Sequence, residues 1–167
     1  MSAILRARSV AVLPVMLVAV LVATMFSVTP AADAAGSRQH KISEGAAVVR
    51  HQKGDPYQYG ADGPGAFDCS GLIYYSFRKA GFSGVPRTSN DQARHMNRIA
   101  KRKNMRKGDF VFFYDGRAKA GNVYHVGVFT GWEDGRRTIV HAPYGSQRVH
   151  RSKIWTGSWF PGTLRGL

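Results

Sequence analysis

Hydrophobic and polar positions change their period along the chain, and the change separates predicted helices from predicted strands. Between Asp68, a good N-cap residue, and Gly81, the apolar residues recur at helical spacing, which predicts a central helix. Weaker helical patterns cover 36–51 and 86–100. Strands are predicted at 110–114, 123–130, 137–142, about 148–154 and 159–164. Helices followed by an antiparallel sheet indicate an α+β fold.

An apolar run near the N-terminus indicates a targeting segment. Residues 10–28 are almost wholly apolar, Arg6 and Arg8 precede them, and small residues follow. This order of basic, apolar and small residues is typical of a secretory signal peptide. A retained membrane anchor is the alternative, because a spanning helix needs about 20 apolar residues, but Pro14 interrupts the run.

The predicted cleavage site divides the chain into a leader and one domain. Residues 32–34 fit the small-x-small pattern before a cut, which predicts a mature start near Ala35. Residues 1–34 are therefore interpreted as the signal peptide and 35–167 as a single domain, since one core can bury most of the apolar surface of such a chain. The protein is expected to be secreted, and to be extracellular or associated with the cell wall.

The chain is strongly basic. Its formal net charge is +14, of which residues 1–34 carry +1, so that +13 remains on the predicted domain. Such a charge points to an anionic partner, which can be a wall polymer, a phospholipid surface or nucleic acid. One segment without any acid, here called the basic segment, contains Arg98, Lys101, Arg102, Lys103, Arg106 and Lys107. We expect it to bind anionic wall polymers, with a solvated loop as the alternative. Nucleic acid is disfavoured, because no aromatic residue is interleaved with these charges to stack on bases.

The single cysteine is the first candidate for chemistry. Cys69 cannot form an internal disulfide, and a buried, inert thiol is the structural alternative. Because Cys69 directly follows the N-cap residue Asp68, its thiol lies at the positive end of the predicted helix, where unpaired N–H groups stabilise a thiolate. The same position supplies a backbone N–H for an oxyanion hole. These features favour a nucleophile.

Two histidines are candidates for its base. His125 lies in the strand predicted at 123–130, and His141 in the next strand. A hairpin centred on Glu133 makes them cross-strand partners, close enough for one imidazole to orient the other. A register slip of one residue would place them on opposite faces. Each histidine alone is more simply explained as a satisfied polar residue, and a zinc site is disfavoured by the lack of a second cysteine. No metal and no cofactor is therefore expected.

Six short motifs follow one another in the order of a known enzyme family. They are PYQYG at 56–60, FDCSGL at 67–72, PRTSNDQ at 86–92, KGDFVFF at 107–113, YHVGVF at 124–129 and VHAP at 140–143. In these residues the chain resembles the NlpC/P60 cell-wall peptidases of the papain-like superfamily. The resemblance covers most of 35–167.

The resemblance implies a papain-like α+β fold and a Cys-His-His triad. In that fold the catalytic cysteine begins a central helix that packs on a small antiparallel sheet. By position, Cys69 is the nucleophile, His125 the base and His141 the orienting residue. The implied reaction is hydrolysis of D-γ-glutamyl bonds to a diamino acid in peptidoglycan stem peptides. The chain is expected to act as a monomer.

The resemblance also assigns substrate-binding residues. Tyr57 is expected near the oxyanion, and Asp68, Ser70 and Ser89 are expected to line the stem-peptide pocket. Ala61 stands where the family commonly has a second glycine, which leaves the shape of this loop open. A wall amidase of the same superfamily and a non-catalytic, basic wall-binding protein are the alternative functions.

Overall fold

Among the residues that the structure describes, three helices precede a six-stranded antiparallel sheet, which confirms the predicted α+β class. The computed structural model describes residues 30–145 and 147–165, and residues 35–167 form one compact unit. The helices are α1 Pro30–His51, α2 Cys69–Lys79 and α3 Ser89–His95. The strands are β1 Asn97–Arg98, β2 Phe110–Tyr114, β3 Val123–Glu133, β4 Arg136–His141, β5 His150–Lys153 and β6 Trp159–Thr163. Two short 3-10 turns cover Arg102–Asn104 and Ala120–Asn122.

The sheet has the order β1-β6-β2-β3-β4-β5, with every neighbouring pair antiparallel. Strand β2 lies at its centre and is buried on both faces. Phe110 and Phe112 join the core that also contains α1 and α2, whereas Val111 and Phe113 join a smaller core on the other face. Side chains alternate between the faces of a strand, so this continuous apolar strand serves both cores.

The predicted helix over 86–100 is shorter in the structure. Helix α3 begins after Thr88, whose Oγ1 accepts a hydrogen bond from the Asp91 N–H at 3.2 Å. It ends at His95, because Met96 is extended and the next two residues pair with β6 as strand β1. A long-range strand pairing therefore ends the helical pattern early.

The predicted centre of the β3–β4 hairpin is wrong. Asp134 and Gly135 both have positive φ, of 46° and 70°, and they form the tight turn that pairs Glu133 with Arg136. The register shifts again between Phe129 and Gly131. Together these irregularities displace the register by two residues from the prediction.

The displaced register still keeps the two histidines on one face. Val128 pairs with Val140, and a Cβ on Gly127 would lie 3.2 Å from the Cβ of His141. His141 is thus opposite Gly127, and His125 is its diagonal neighbour two residues along the strand. A shift of an even number of residues leaves side chains on the same face of a sheet. Glycine at 127 lets the side chains of Ile139 and His141 approach β3 closely.

The predicted signal peptide falls largely outside the described residues. Its apolar run over 10–28 lies wholly outside them, and only the start of helix α1 belongs to the segment 1–34. Within the part of the chain that the structure describes, no helix combines the length and the apolarity needed to cross a bilayer. The division into signal peptide and domain stays a prediction.

Gly71 in the first turn of α2 has a packing role that can be tested. A Cβ at this position would collide with the carbonyl oxygen of Ala61, a backbone atom that cannot move aside without shifting the loop. We expect Gly71→Ala to lower the free energy of unfolding by about 1–3 kcal/mol, as for an overpacked site. Gly84→Ala, where an added Cβ meets nothing within 4 Å, is the matched control. Denaturant unfolding curves of equal midpoint for both variants would contradict this packing.

Candidate active site

Cys69 and His125 face the same cleft, which has a volume of about 590 Å³. The first residue of α2 supplies the cysteine, and the first half of β3 supplies the histidine. The remaining lining residues are Tyr57, Tyr59, Gly60, Asp68, Ser70, Arg87, Thr88, Ser89, Tyr124 and Tyr144. The structure therefore brings together residues that are 56 positions apart in the sequence.

The carboxylate of Asp68 fixes the start of the helix that carries Cys69. Its Oδ1 accepts hydrogen bonds from the Gly71 N–H at 2.6 Å and from the Ser70 hydroxyl at 3.1 Å. This is an N-cap, which satisfies a backbone donor that the first turn of a helix leaves unpaired. Cys69 is thereby held as the first helical residue, with its own N–H free of the helical ladder.

Arg87 makes the same carboxylate the centre of a wider network. Its Nη1 donates to Oδ1 of Asp68 at 3.0 Å and its Nη2 to Oδ2 at 2.7 Å, a two-point contact that is the strong geometry for this pair. Nη2 also donates to the Ala61 carbonyl at 3.1 Å, and the Gly60 N–H donates to Oδ2 at 3.1 Å. Burial raises the pKa of Asp68, but the bonds from Arg87 and Gly71 outweigh it and hold this pKa below its usual value. Ala61 has no positive φ, so an alanine fits this loop without strain.

Burial dominates the acidity of the Cys69 thiol. Part of the residue opens into the cleft, but the surrounding protein raises the pKa of the thiol to about 11. Backbone N–H groups of Val126, Ser70 and Cys69 itself act in the opposite direction without balancing this effect. The expectation that the helix start favours a resting thiolate is therefore not met. The free protein holds the thiol protonated at neutral pH.

The two histidines are joined by a hydrogen bond. Nε2 of His125 lies 2.8 Å from Nδ1 of His141, and Nε2 of His141 lies 3.0 Å from the hydroxyl of Ser152. Nδ1 of His125 is the ring nitrogen that this chain of contacts does not use. For Nδ1 of His125 to accept a proton, the proton of this neutral ring must be on Nε2, which then donates to Nδ1 of His141. His141 then carries its own proton on Nε2, which donates to the hydroxyl of Ser152. One tautomer of each ring therefore satisfies the whole chain of contacts.

Both imidazoles are neutral in the free protein. His125 is only 7% exposed and His141 only 4%. Burial lowers the pKa of His125 to about 4. Burial also lowers the pKa of His141, to about 3, and electrostatic repulsion between a protonated His141 and the nearby imidazoles of His125 and His150 adds to this effect. A neutral imidazole can accept a proton, which is the state that a base requires.

Trp155 covers the histidine pair and could not be found from the sequence. Its ring stacks on Phe113, with centroids 4.3 Å apart and planes at 7°. The same ring lies 5.8 Å from the ring of His125 and 5.3 Å from that of His141. Trp155 follows β5 in an irregular loop, so no periodic pattern marks it. Ser152 escaped notice because its contact with His141 depends on the register in which β5 pairs with β4.

The four predicted substrate-binding residues all line the cleft. Tyr57 is half-buried beside Tyr144, with ring centroids 5.6 Å apart, and burial followed by the proximity of Cys69 raises its pKa. Ser89 donates to the Val123 carbonyl at 3.2 Å. Asp68 and Ser70 are engaged in the network around the helix start, so their main contacts are within the protein. Their substrate-binding roles stay predictions.

Several cleft residues were missed by the sequence analysis. Arg87 belongs to the motif at 86–92, but nothing in the sequence revealed its contact with Asp68. Tyr59, Tyr124 and Tyr144 add three exposed aromatic rings to the rim. Within residues 30–145 and 147–165, no group of three or more His, Cys, Asp and Glu side chains is placed to hold a metal ion.

Sequence comparison relates this cleft to known proteins. A profile of the NlpC/P60 family matches residues 54–166. A probable endopeptidase of Corynebacterium glutamicum, Cgl2188, is 40% identical over 116 residues, which are 68% of this chain and 48% of the relative. The murein DD-endopeptidase MepH of Escherichia coli is 33% identical over 115 residues, or 66% of this chain and 40% of the relative. The chain thus matches less than half the length of each of these two relatives.

A solved structure with the same fold adds a second kind of relative. RipD of Mycobacterium tuberculosis matches with a TM-score of 0.59 and 25% identity, over 76% of this chain and 98% of RipD. RipD is described as a non-catalytic NlpC/p60 domain protein adapted to peptidoglycan binding. The family therefore includes both enzymes and binding proteins.

The protonated thiol can be tested by alkylation of the free protein at several pH values. Since the thiolate is the reactive form and burial raises the pKa of Cys69 to about 11, the rate with iodoacetamide should rise about tenfold per pH unit between pH 7 and pH 9.5. N-acetylcysteine, an ordinary exposed thiol, should level off at lower pH under the same conditions. A rate on Cys69 that is already maximal near pH 6 would mean a resting thiolate–imidazolium pair instead.

Proposed function

Because the chain belongs to the NlpC/P60 family, we propose that it is a cysteine peptidase that hydrolyses peptide bonds of bacterial peptidoglycan. Cys69 is the nucleophile, His125 the base and His141 the residue that orients it. The proposal draws on relatives that are named endopeptidases. The substrate is the stem peptide, which would lie in the cleft in front of Cys69.

One observation carries the proposal. Cys69 and His125 line a single open cleft, and Nε2 of His125 lies 2.8 Å from Nδ1 of His141. A nucleophile, a base and a group that orients the base are the parts that covalent catalysis requires. A protein that only binds peptidoglycan has no use for this buried pair of neutral histidines.

The proposed reaction proceeds through a thioester. The thiol of Cys69 gives its proton to Nδ1 of His125 as Sγ attacks the carbonyl carbon of the scissile bond. The imidazolium then protonates the leaving amine, and the C–N bond breaks to leave the acyl group on sulfur. A water molecule, deprotonated by His125, hydrolyses the thioester and restores the thiol. The hydrogen bond to His141 stabilises the imidazolium while it exists.

The start of α2 is suited to the charge that develops in this reaction. The oxyanion of the tetrahedral intermediate would lie beside the backbone N–H of Cys69, which is not used in the helical ladder. The hydroxyl of Tyr57, which lines the same cleft, would donate a second hydrogen bond to this oxyanion. The raised pKa of Tyr57 keeps this hydroxyl protonated and thus able to donate.

The bond that is cut is proposed to be the D-γ-glutamyl bond to the diamino acid. The E. coli relative is named a DD-endopeptidase, so a cut at the cross-link is the nearest alternative. A wall amidase would instead separate the whole peptide from the sugar. Mass analysis of fragments released from purified peptidoglycan distinguishes the three, because each leaves a different residue at the new terminus.

The protein is proposed to act outside the cell, in contact with the wall. Its formal net charge of +14 and the basic segment suit adhesion to anionic wall polymers. All six cations of the basic segment are exposed. The guanidinium of Arg98 lies over the ring of Phe160, 4.4 Å from its centroid. The segment is therefore not one uniform charged surface.

The roles of the three catalytic residues predict a ranking of variants. Cys69→Ala should abolish release of peptidoglycan fragments, and His125→Ala should reduce turnover to the same level, since base catalysis contributes on the order of 100- to 10,000-fold. His141→Asn should retain measurable turnover, because it affects the base only indirectly. His95→Ala, at an exposed histidine, is the control. Full activity without His125 would reject the mechanism, and equal, complete losses at both histidines would reject the ranking.

Adhesion to the wall should depend on salt much more than cleavage does. Screening shortens the reach of exposed charges to about 8 Å at physiological salt and about 3 Å at 1 M. Binding to whole sacculi should therefore weaken steeply with added salt, while cleavage of a small soluble stem peptide changes little.

Replacing Lys101, Arg102 and Lys103 together by Gln should mimic high salt in the sacculus-binding assay. A triple Gln variant at Arg50, Lys53 and Lys119, exposed cations outside the basic segment, removes the same charge elsewhere. Equal binding of both triple variants would mean that the basic segment is only a solvated loop.

A further inference from the structure

Three arginines and two tryptophans converge on a depression at the turn end of the β3–β4 hairpin. The depression has a volume of about 280 Å³. We call its side chains the arginine–tryptophan site; they are Arg102, Trp132, Arg136, Arg137 and Trp159. Arg102 is the only member of the basic segment that lines it.

The guanidinium groups of this site are held in place. Arg102 lies over the ring of Trp159, 4.0 Å from its centroid, and donates hydrogen bonds to the carbonyls of Gly157, at 2.7 Å, and Trp159. Arg137 lies 4.4 Å from the ring centroid of Trp132 and 5.8 Å from that of Trp159. Cations stack favourably on such rings. The positions of the charges are therefore set before any ligand arrives.

The same groups carry positive charge without an internal counterion. Among the described residues, no carboxylate lies within 4.0 Å of the guanidinium of Arg102, Arg136 or Arg137. The two acids of the adjoining turn are engaged elsewhere, Glu133 with Arg151 at 3.9 Å and Asp134 with Lys153 at 2.7 Å. Three cations without an ionic partner are the complement of an oxyanion.

The site is separate from the catalytic cleft. It shares no lining residue with the cleft in front of Cys69 or with the neighbouring cleft over His141. His125 and Trp132 are seven positions apart on β3, which corresponds to roughly 20 Å at the rise of a strand. A ligand bound here would not obstruct the proposed chemistry.

We propose that the arginine–tryptophan site binds a sugar that carries a phosphate or carboxylate group. Arginine forks match the paired oxygens of such groups, and they bind them in two-point contacts. Trp132 is 56% exposed and offers a flat, electron-rich face on which the C–H bonds of a sugar ring can lie. A wall polymer of repeated anionic sugars or sugar-like units would present this chemistry many times over.

The single exposed ring argues for a sugar over a nucleic acid. Single-stranded nucleic acids are bound by several aromatic side chains, on which successive bases stack along a charged groove. Here Trp159 is buried, at 5% exposure, so only Trp132 can stack on a ligand. The small depression fits one ring, not a strand.

Calorimetric titration of the Cys69→Ala variant of the chain tests the site without any hydrolysis. The probes are glucose 6-phosphate, glucuronate, glucose, inorganic phosphate, poly(glycerol phosphate) and a 20-nucleotide single-stranded DNA. Glucose 6-phosphate or glucuronate should bind more tightly than either glucose or inorganic phosphate. Which of the two anionic sugars binds better identifies the anionic group.

Two double variants separate the site from general charge. Arg102→Gln with Arg137→Gln should weaken binding of the anionic sugar at least tenfold. The control variant, Lys101→Gln with Lys103→Gln, removes the same charge from the residues on either side of Arg102 without changing a lining residue. It should leave the affinity for the anionic sugar within about twofold. Arg136→Gln with Trp132→Ala, at two exposed positions, repeats the test if the first variant does not fold.

Three results would overturn the proposal. The first is an equal loss in the arginine and lysine variants, which means diffuse electrostatic attraction. The second is inorganic phosphate binding as tightly as glucose 6-phosphate and unaffected by Trp132→Ala, which means a site for the bare anion. The third is DNA binding more tightly than every sugar and through the same residues. Cleavage of a small stem peptide by variants that keep Cys69 does not depend on any of these three results. Failure of the proposed sugar site can therefore be distinguished from failure of the proposed peptidase activity.

Discussion

The hydrogen bonds of the Asp68 carboxylate hold together the cleft in front of Cys69. It caps the helix that begins with Cys69, and it binds the guanidinium of Arg87 and the N–H of Gly60. Three segments that are distant in the sequence are thereby held around one pair of oxygens. Because Arg87 also binds the Ala61 carbonyl, the loop before the helix is set by the same contact. Loss of this carboxylate would leave the partly buried guanidinium of Arg87 with Asp62, at 3.5 Å, as its remaining ionic partner. It would also leave the N–H groups of Gly60 and Gly71 without their acceptor.

Burial leaves the proposed nucleophile and its proposed base without charge. The surroundings raise the pKa of Cys69 and lower the pKa of His125, so both are neutral at rest. The proton can then move only when something stabilises the resulting charges. In the proposed mechanism, the backbone N–H groups at the helix start and the contact with His141 would do this once the scissile carbonyl is bound. The reactive thiolate would then form only with substrate in the cleft.

Helix α2 and strand β2 could be predicted because capping and hydrophobic spacing within a few residues determine them. Asp68 and the apolar spacing after it predicted α2, and the continuous apolar run over 110–114 predicted β2 at its observed bounds. The helix predicted over 86–100 was too long, because pairing of Asn97–Arg98 with β6 is a long-range event. The hairpin centre was wrong because a positive φ at Asp134, which is a non-glycine residue, left no mark in the pattern.

The same distinction applies to the site. The pairing of Cys69 with two histidines on neighbouring strands could be predicted, since helix starts and strand faces are readable. Trp155 and Ser152 could not, because their contacts with the histidines run across strands and through an irregular loop. Nor could the division of the basic segment, in which Arg102 turns to the tryptophans while Lys101 and Lys103 stay in solvent. The sequence gives the number of cations in a segment, but the contacts of each cation depend on the tertiary structure.

The protonated state of the one thiol also bears on how long the molecule stays usable. Thiolates attack peroxides and disulfides, so an active-site sulfur that rests as a thiolate is steadily lost to sulfenic acid or mixed disulfides under oxidising conditions. The chain has no second cysteine that could reduce a damaged one, and the raised pKa of Cys69 keeps its thiol protonated at rest. The burial that would slow formation of the proposed nucleophile would thus also slow its oxidation.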